Sequence, residues 1–441
     1  MKTQKQAQLF PFVVITFIYF IVGFLTTVNE QLQAPMKFTF LNHAGSLKNT
    51  FTTLISFFFF LGYLLNGRRA SKWVDSFGYK TTLVRGITFM FIGLLTYLSS
   101  VLLGYYFPDL SVKIFDAIIP FGFFIFITGS YLMGTAAAII QVVVNPYVAS
   151  YELPGTHRVQ RLNITTAINS IGTTSAPFFV TILMFGGISM QDVTINQLFV
   201  PLIILSLCVL SVALITKKIN LPDIANTRLA NGEKATRSIW SFRHFALGVA
   251  AIFCYVGTEV AIGANINLHA FELMDNGLAM TFLGKSDIII GGMDLGIHAL
   301  LSTLYWGGFL VGRLVFSFLS SVSARTQLIT SSILATILLI VAISTQNLWF
   351  LVGIGLLHST MWSCIFSLAT KDLNKYTSKA SGIFISAVFG GAVFTIGQGL
   401  LADVLGSWRY TWFLAVGCEL FILYYALFGY KIRPSDINLA K

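Results

Sequence analysis

Apolar residues recur along the chain in runs of about twenty or more, each closed by a short polar or turn-forming stretch. The pattern predicts membrane-spanning helices, because a hydrocarbon core of about 30 Å takes about 20 apolar residues. Six segments precede the longest polar interruption: 10–36, 50–71, 81–105, 119–151, 161–186 and 196–216. Six follow it: 244–271, 297–320, 326–345, 348–369, 379–403 and 408–430. Turn signals between them are ordinary, namely Pro108-Asp109, Leu153-Pro154-Gly155 and Gly186-Gly187. Lys2 and Lys5 precede the first segment as they would a signal peptide. That segment is too long, lacks a small-residue cleavage site and contains Glu30, so it reads as a retained helix.

Composition agrees with the pattern. Of the 441 residues 56% are hydrophobic and only 10% charged, with a mean hydropathy of +0.79, whereas soluble domains carry about a quarter charged residues. Disordered, collagen-like and disulfide-scaffold classes are excluded by the same numbers. Cys208, Cys254, Cys364 and Cys418 sit in apolar runs without metal-like spacing and read as small buried hydrophobes. No metal or other cofactor is expected. The net charge of +11 would suit a nucleic-acid binder, but its placement argues otherwise. With both termini in the cytoplasm, all basic residues except Lys37, Lys48, Lys113, Lys285 and Arg409 fall on the cytoplasmic side. Positive charge there is an orientation signal. The expected location is a cell membrane, the bacterial inner membrane, crossed many times by what is expected to be a monomer.

The stretch 217–243 carries Lys217, Lys218, Arg228, Lys234, Arg237 and Arg243 and divides residues 1–216 from 244–441. The two parts share a local signature. Gly62-Tyr63-Leu64-Leu65-Asn66-Gly67-Arg68 closes the second span, and Gly307-Gly308-Phe309-Leu310-Val311-Gly312-Arg313 closes the eighth. Small residues let helix backbones approach, and a basic residue at the helix end can reach an interface. The expected fold is an all-α integral membrane protein, with twelve transmembrane helices in two six-helix pseudo-repeat bundles and a cytoplasmic linker, the plan of many secondary transporters. After the second span comes Ser71-Lys72-Trp73-Val74-Asp75-Ser76-Phe77-Gly78-Tyr79-Lys80. Asp75 with Arg68 and the neighbouring bases suits a charged clamp between helix ends, or else a solvated loop. Glu152 with Arg158 and Arg161 parallels Asp372 with Lys375 and Lys379 at repeat-related sites. Such sets suit ion pairs between the halves, with weak surface pairs as the alternative.

The twelve spans, the duplicated plan and the 71–80 loop resemble the major facilitator superfamily, although its loop pattern begins with Gly where Ser71 stands and usually has Arg at Tyr79. More closely, the chain resembles the fucose:proton symporter family of sugar transporters, which includes glucose/galactose transporters. The matching stretches are Gly23-Phe24-Leu25-Thr26-Thr27-Val28-Asn29-Glu30, Gln141-Val142-Val143-Val144-Asn145-Pro146-Tyr147-Val148, Arg161-Leu162-Asn163 and Asn169-Ser170-Ile171-Gly172-Thr173-Thr174. Further on stand Tyr255-Val256-Gly257-Thr258-Glu259-Val260-Ala261, Tyr305-Trp306-Gly307-Gly308 and Lys371-Asp372-Leu373-Asn374-Lys375-Tyr376-Thr377. In that family the acid of the span 1 Asn-acid pair couples the proton, which the resemblance carries to Glu30. Fucose-transporting members have a second acid where Gln141 stands, and glucose/galactose members resemble this chain in having Gln there.

Ionisable groups inside spans are costly, so each is a functional candidate. Glu30, with Asn29 beside it, lies late in span 1, and Glu259 lies inside span 7, its repeat counterpart. A carboxyl in a low-dielectric cavity favours its neutral form and can trade a proton or hydrogen-bond sugar hydroxyls; the alternatives are a solvated acid at the mouth and a helix brace. Gln141 and Asn145 share one face of span 4, and span 5 carries Asn163 and Asn169. Amides suit a sugar because each both donates and accepts without the cost of desolvating an ion; interhelical bracing is the alternative. The second half offers Asn265, His358, Trp362 and Gln398. His358 reads as a relay or a satisfied core histidine, and Trp362 as a sugar-stacking ring or packing. Glu419 is buried by span arithmetic with no partner evident.

The expected activity is cation-coupled import of a hexose such as glucose, galactose or fucose, with H+ or Na+ as coupling ion and no nucleic-acid partner. The alternatives are a sodium-coupled sugar or N-acetylhexosamine transporter and, further off, a drug or peptide exporter. A membrane enzyme would need a concentrated acid pair or a long catalytic loop, and an ATP-driven pump a phosphate-cradling Gly-Lys motif; neither occurs. A sugar sensor would carry an appended signalling segment, and the stretch after Tyr430 is short.

Overall fold

The computed structural model describes residues 2–150, 158–188, 191–219, 221, 238–278, 280–285, 288–290, 292–317, 322–373 and 377–433. Within those ranges the side chains of some helical residues, among them Asp75, Asn145 and Asn163, are not described. Eleven described helices are long and apolar enough to cross a membrane: α1 (Leu9–Thr39), α2 (Gly45–Val74), α3 (Ser76–Tyr106), α4 (Phe121–Val144), α5 (Ile164–Met184), α6 (Ile195–Lys218), α7 (Arg243–Asp275), α9 (Ala324–Thr345), α10 (Trp349–Ala369), α11 (Ile383–Leu405) and α12 (Arg409–Gly429). Between α7 and α9 lies α8 (Ile297–Ser317), 21 residues long. The helices match the segments expected from hydropathy to within a few residues at each end.

Helix burial is uneven, and this sorts the helices into inner and outer ones. The most apolar stretch of α4 is 72% buried and that of α6 only 28%, so α4 is enclosed by protein while α6 turns Val200, Ile204, Leu207 and Leu214 outward. Apolar side chains facing away from the protein are what a lipid-bathed surface requires.

Without a hydrophobic drive between helices in lipid, close packing has to hold them. A side chain on Gly62 of α2 would strike the backbone of α4 at Tyr131 and Thr135, and one on Gly134 would strike the Phe59 carbonyl. In the second half the same pair recurs: Gly308 of α8 abuts Gly355 and Leu356 of α10, and Gly355 abuts the Tyr305 carbonyl. A second pairing repeats as well. Gly172 of α5 lies on the α1 backbone at Phe20, as Gly390 of α11 lies on the α7 backbone at Phe253. The repeated glycine signature in the sequence thus corresponds to repeated helix contacts.

Two local breaks matter for the site. Near the start of α3 the backbone leaves helical geometry at Gly78, at φ 77° and ψ 172°, a backbone region open to glycine alone among residues. Helix α10 is interrupted after His358, at Ser359 and Thr360. The fold is not wholly helical: Ser111–Ile114 pairs antiparallel with Ala117–Pro120, and Ile289–Ile290 with Met293–Asp294. These hairpins, absent from the sequence expectation, are built of β-branched residues too few for a span.

Candidate substrate and coupling site

The two acids expected inside the spans lie across the interface between the first six helices and the last six. Glu30 of α1 is buried, and its Oε2 meets no hydrogen-bond partner among the described residues. Glu259 of α7 is half-buried, and the two carboxyls interact electrostatically. On the first-half side, Tyr63 of α2 lies in the field of Glu30 and its hydroxyl accepts a hydrogen bond from Gln141 Nε2 of α4 at 2.8 Å. Helices α1, α2 and α4 thereby bring Glu30, Tyr63 and Gln141 together.

On the second-half side, the Tyr305 hydroxyl of α8 donates to the Glu259 main-chain carbonyl at 2.9 Å. The Glu259 carboxyl interacts with Arg313, His358 and Tyr255. Arg313 bridges the halves: its guanidinium donates to the Thr166 carbonyl of α5 at 3.2 Å and to the Ser170 hydroxyl. Together these groups form a polar patch of two acids, an amide, tyrosine hydroxyls and a guanidinium within an otherwise apolar protein. It offers both donors and acceptors, and two carboxyls able to hold protons.

Several of the other expected site residues are turned elsewhere. Asn29 accepts a hydrogen bond from Tyr97 of α3, whose hydroxyl also meets Ser130 of α4 at 3.0 Å, so it braces the first bundle. Asn169 donates to the Tyr19 carbonyl at 2.7 Å and packs on Gly23, tying α5 to α1. Asn265 donates to Gln398 Oε1 at 2.8 Å, and Gln398 donates to Thr411 at 3.0 Å, linking α7, α11 and the start of α12. His358 faces Glu419, its Nε2 lying 2.8 Å from Oε1, which supplies the partner that the sequence left unnamed. Trp362 is half-buried and packs against the apolar core. The side chains of Asn145 and Asn163 lie outside the described residues.

Of the residues expected to gate, Arg313 crosses the interface as above. Arg161 is buried and donates to the Val148 carbonyl at 3.2 Å, holding the end of the fourth helical segment. Arg68 is exposed, and Asp372 is exposed in left-handed backbone at φ 58°. Glu152 and the side chain of Asp75, two of the acids expected to clamp the helix ends, lie outside the described residues. Among the described residues the ion pair seen is His358–Glu419.

Further contacts that join the halves lie at the face opposite the chain termini. Gln31 Nε2 of α1 donates to Ser302 of α8 at 2.9 Å, and Asn267 of α7 donates to Gln31 Oε1. Asp403, at the end of α11, accepts from the Asn49 amide at 3.0 Å, the Thr50 amide at 2.7 Å and the Thr50 hydroxyl at 2.6 Å. Gly399, one turn earlier, lets α11 lie on Thr53. Asp403, Gln31, Tyr63 and Tyr305 were not singled out as site residues from the sequence. The usable signal for Asp403 is an acid one turn after a glycine at the end of a span, and for Tyr305 its place in the quoted Tyr-Trp-Gly-Gly stretch. Among the described residues no group of three or more His, Cys, Asp or Glu side chains is placed to hold a metal.

The chain is similar over almost its whole length to known transporters. It is 30% identical over 426 residues to the glucose/galactose transporter of Brucella abortus, covering 95% of this chain and 93% of the relative. Its fold matches the crystal structure of the Escherichia coli fucose:proton symporter with a TM-score of 0.64, at 19% identity, over 96% of this chain and 99% of that one. It matches the inward-open xylose transporter of E. coli with a TM-score of 0.69, at 11% identity, over 97% and 98% of the two chains. No family model matches.

Proposed function

The chain belongs to the fucose and glucose/galactose transporter family of the major facilitator superfamily, and from that premise we propose that it is a proton-coupled symporter importing a hexose by alternating access. The observation that carries the reading is Glu30: a buried carboxyl in α1 with an unpartnered oxygen, set against Glu259 from the other half. A buried acid without a fixed partner is poised to exchange a proton, because no hydrogen bond locks either state.

The basic residues orient the protein, with both termini in the cytoplasm and the Asp403–Thr50 contact on the outer face. Glu30 takes its proton from outside, and the sugar then binds between the halves. Gln141, Tyr63 and Arg313 supply donors and acceptors for its hydroxyls around the two acids. Rocking of one six-helix bundle against the other, with the linker as the only covalent tie, opens the site inward. The outer contacts of Asp403 and Gln31 hold the inward-directed arrangement and part in the outward one.

The test is uptake into proteoliposomes under an imposed proton gradient. Glu30→Gln is expected to abolish gradient-driven accumulation of the hexose while leaving sugar exchange down its own gradient. Unchanged accumulation removes Glu30 from the coupling role. A dependence on sodium at fixed pH, with none on the proton gradient, replaces the proton by sodium as the coupling ion.

A further inference from the structure

A line of hydrogen bonds runs through the second half of the chain and ends at Glu259. Glu419 of α12 and His358 of α10 are both fully buried, with Oε1 and Nε2 2.8 Å apart. The other ring nitrogen, Nδ1, lies 3.2 Å from the Tyr305 hydroxyl. That hydroxyl donates to the Glu259 carbonyl at 2.9 Å, so its single hydrogen is committed. The contact at Nδ1 therefore takes its hydrogen from the imidazole. At Nε2, a separation of 2.8 Å from a carboxyl oxygen requires one hydrogen between the atoms, since two bare lone pairs would repel. Beyond the Nδ1 hydrogen, ring and carboxyl share one proton, and the pair is neutral overall whichever atom carries it. A neutral pair can lie buried where a lone carboxylate would be costly.

The pair is built into the backbone around it. The Tyr255 hydroxyl of α7 donates to the His358 carbonyl at 3.1 Å, just where α10 is interrupted, and Gly355 admits the α8 backbone at Tyr305. The titratable and charged groups around the line are Cys254, Tyr255 and Glu259 from α7, Tyr305 and Arg313 from α8, Cys418 and Glu419 from α12, and Glu30 from α1, which reaches Tyr305. Four helices of one half are thus connected through this line to the acid that faces Glu30.

We propose that Glu419, His358 and Tyr305 are positioning residues for coupling: a closed proton-sharing line that keeps its own proton through the cycle and holds the Glu259 segment in place opposite Glu30. His358 is then not a sugar ligand, although the helix break beside it lies near the site. The inference rests on the symporter reading and assigns Glu419 a role in it.

Sugar counterflow in proteoliposomes, measured from pH 5 to 9 with a labelled hexose, tests it. Tyr305→Phe removes one hydroxyl, and Glu419→Gln keeps the shape of the acid. Each is expected to displace the pH midpoint of counterflow by roughly half to one unit, the size of one hydrogen bond. The double variant should go no further than the larger single one, and the displacement should vanish when Glu259→Gln is also present. Wild-type pH profiles in both single variants, additive displacements, or displacements that persist with Glu259→Gln overturn the proposal. If Glu419→Gln does not fold, Tyr305→Phe alone decides through its profile with and without Glu259→Gln. Absence of counterflow with any hexose in the unaltered protein counts against the transport reading instead, so the two failures are distinct.

Discussion

Asp403 caps a helix that belongs to the other half of the chain, with Thr50 giving it both an amide at 2.7 Å and a hydroxyl at 2.6 Å. The α-helical turns of α2 begin at Lys48, and Leu47 at their cap position offers no side-chain acceptor. The first amides of any helix need partners, and its N-terminus favours a negative charge. The missing cap is therefore supplied from α11, and it exists only while the two halves are in contact on that face.

Asp403→Asn keeps one acceptor oxygen and removes the charge. The contact should weaken by on the order of 1 kcal/mol, about a fivefold change in the ratio of closed to open at that face. Maleimide labelling of a cysteine at Thr53, buried beneath Gly399, in a background without the native cysteines, reads the change. Labelling as slow as in the parent means that the cap does not hold the face shut.

Arg313 predicts a second effect on the same equilibrium, deeper in the interface. Its Nη1 donates to both a carbonyl and a hydroxyl of α5, and a lysine ammonium, one bond nearer the backbone, falls short of the two acceptors. Arg313→Lys is expected to cut hexose uptake about tenfold, the scale of one hydrogen bond to a charged group. Ser170→Ala should cost less, and the two together should be less than additive. Full additivity would place the role of Arg313 elsewhere, as with its contact to Glu259.

The fold was legible because hydropathy alone sets span number, and the glycine signature marks the helix faces that touch. Candidate site residues stood out by type, while the direction of each side chain did not. Asn29 and Glu30 are neighbours in sequence, yet one bonds Tyr97 inside the first bundle while the other faces Glu259. A turn of about 100° per residue separates them, and sequence does not say which face looks at the partner half. Glu419 was recognisable as buried, but its partner His358 lies on a helix 61 residues away in sequence. Asp403 was passed over because an acid at a span end reads as solvated unless the opposing helix end is known.

Packing gives a prediction that separates steric need from mere presence of glycine. A side chain on Gly134 would collide with the Phe59 carbonyl, whereas one on Gly417 would meet nothing within 4 Å. Gly134→Val is expected to destabilise by on the order of 3 kcal/mol or prevent accumulation of folded protein, since backbone rather than a movable side chain is struck. Gly417→Val should unfold in detergent within a degree or two of the parent. Equal tolerance at the two positions would mean that α2 and α4 can separate without loss.

The hairpin between α3 and α4 supplies a pH-dependent contact outside the membrane. Asp116 accepts the Ser46 amide at 3.0 Å and the Ser46 hydroxyl at 3.3 Å, and these bonds hold its carboxyl below the usual carboxylate range. A depressed value in the folded state means that the contact contributes fully above the unfolded value, about 3.9. It is lost as pH falls through the folded value. Because Asp116 is exposed, the consequence is local. Protection of the Ser46 amide from hydrogen exchange, corrected for the intrinsic rate, should be constant from pH 7 to about 5 and fall below about 4. Asp116→Asn should lower the protection at pH 7 and flatten its pH dependence. Protection that stays constant down to pH 3 in the unaltered protein would assign the order of this loop to the Ile118–His43 backbone bond rather than to the carboxylate.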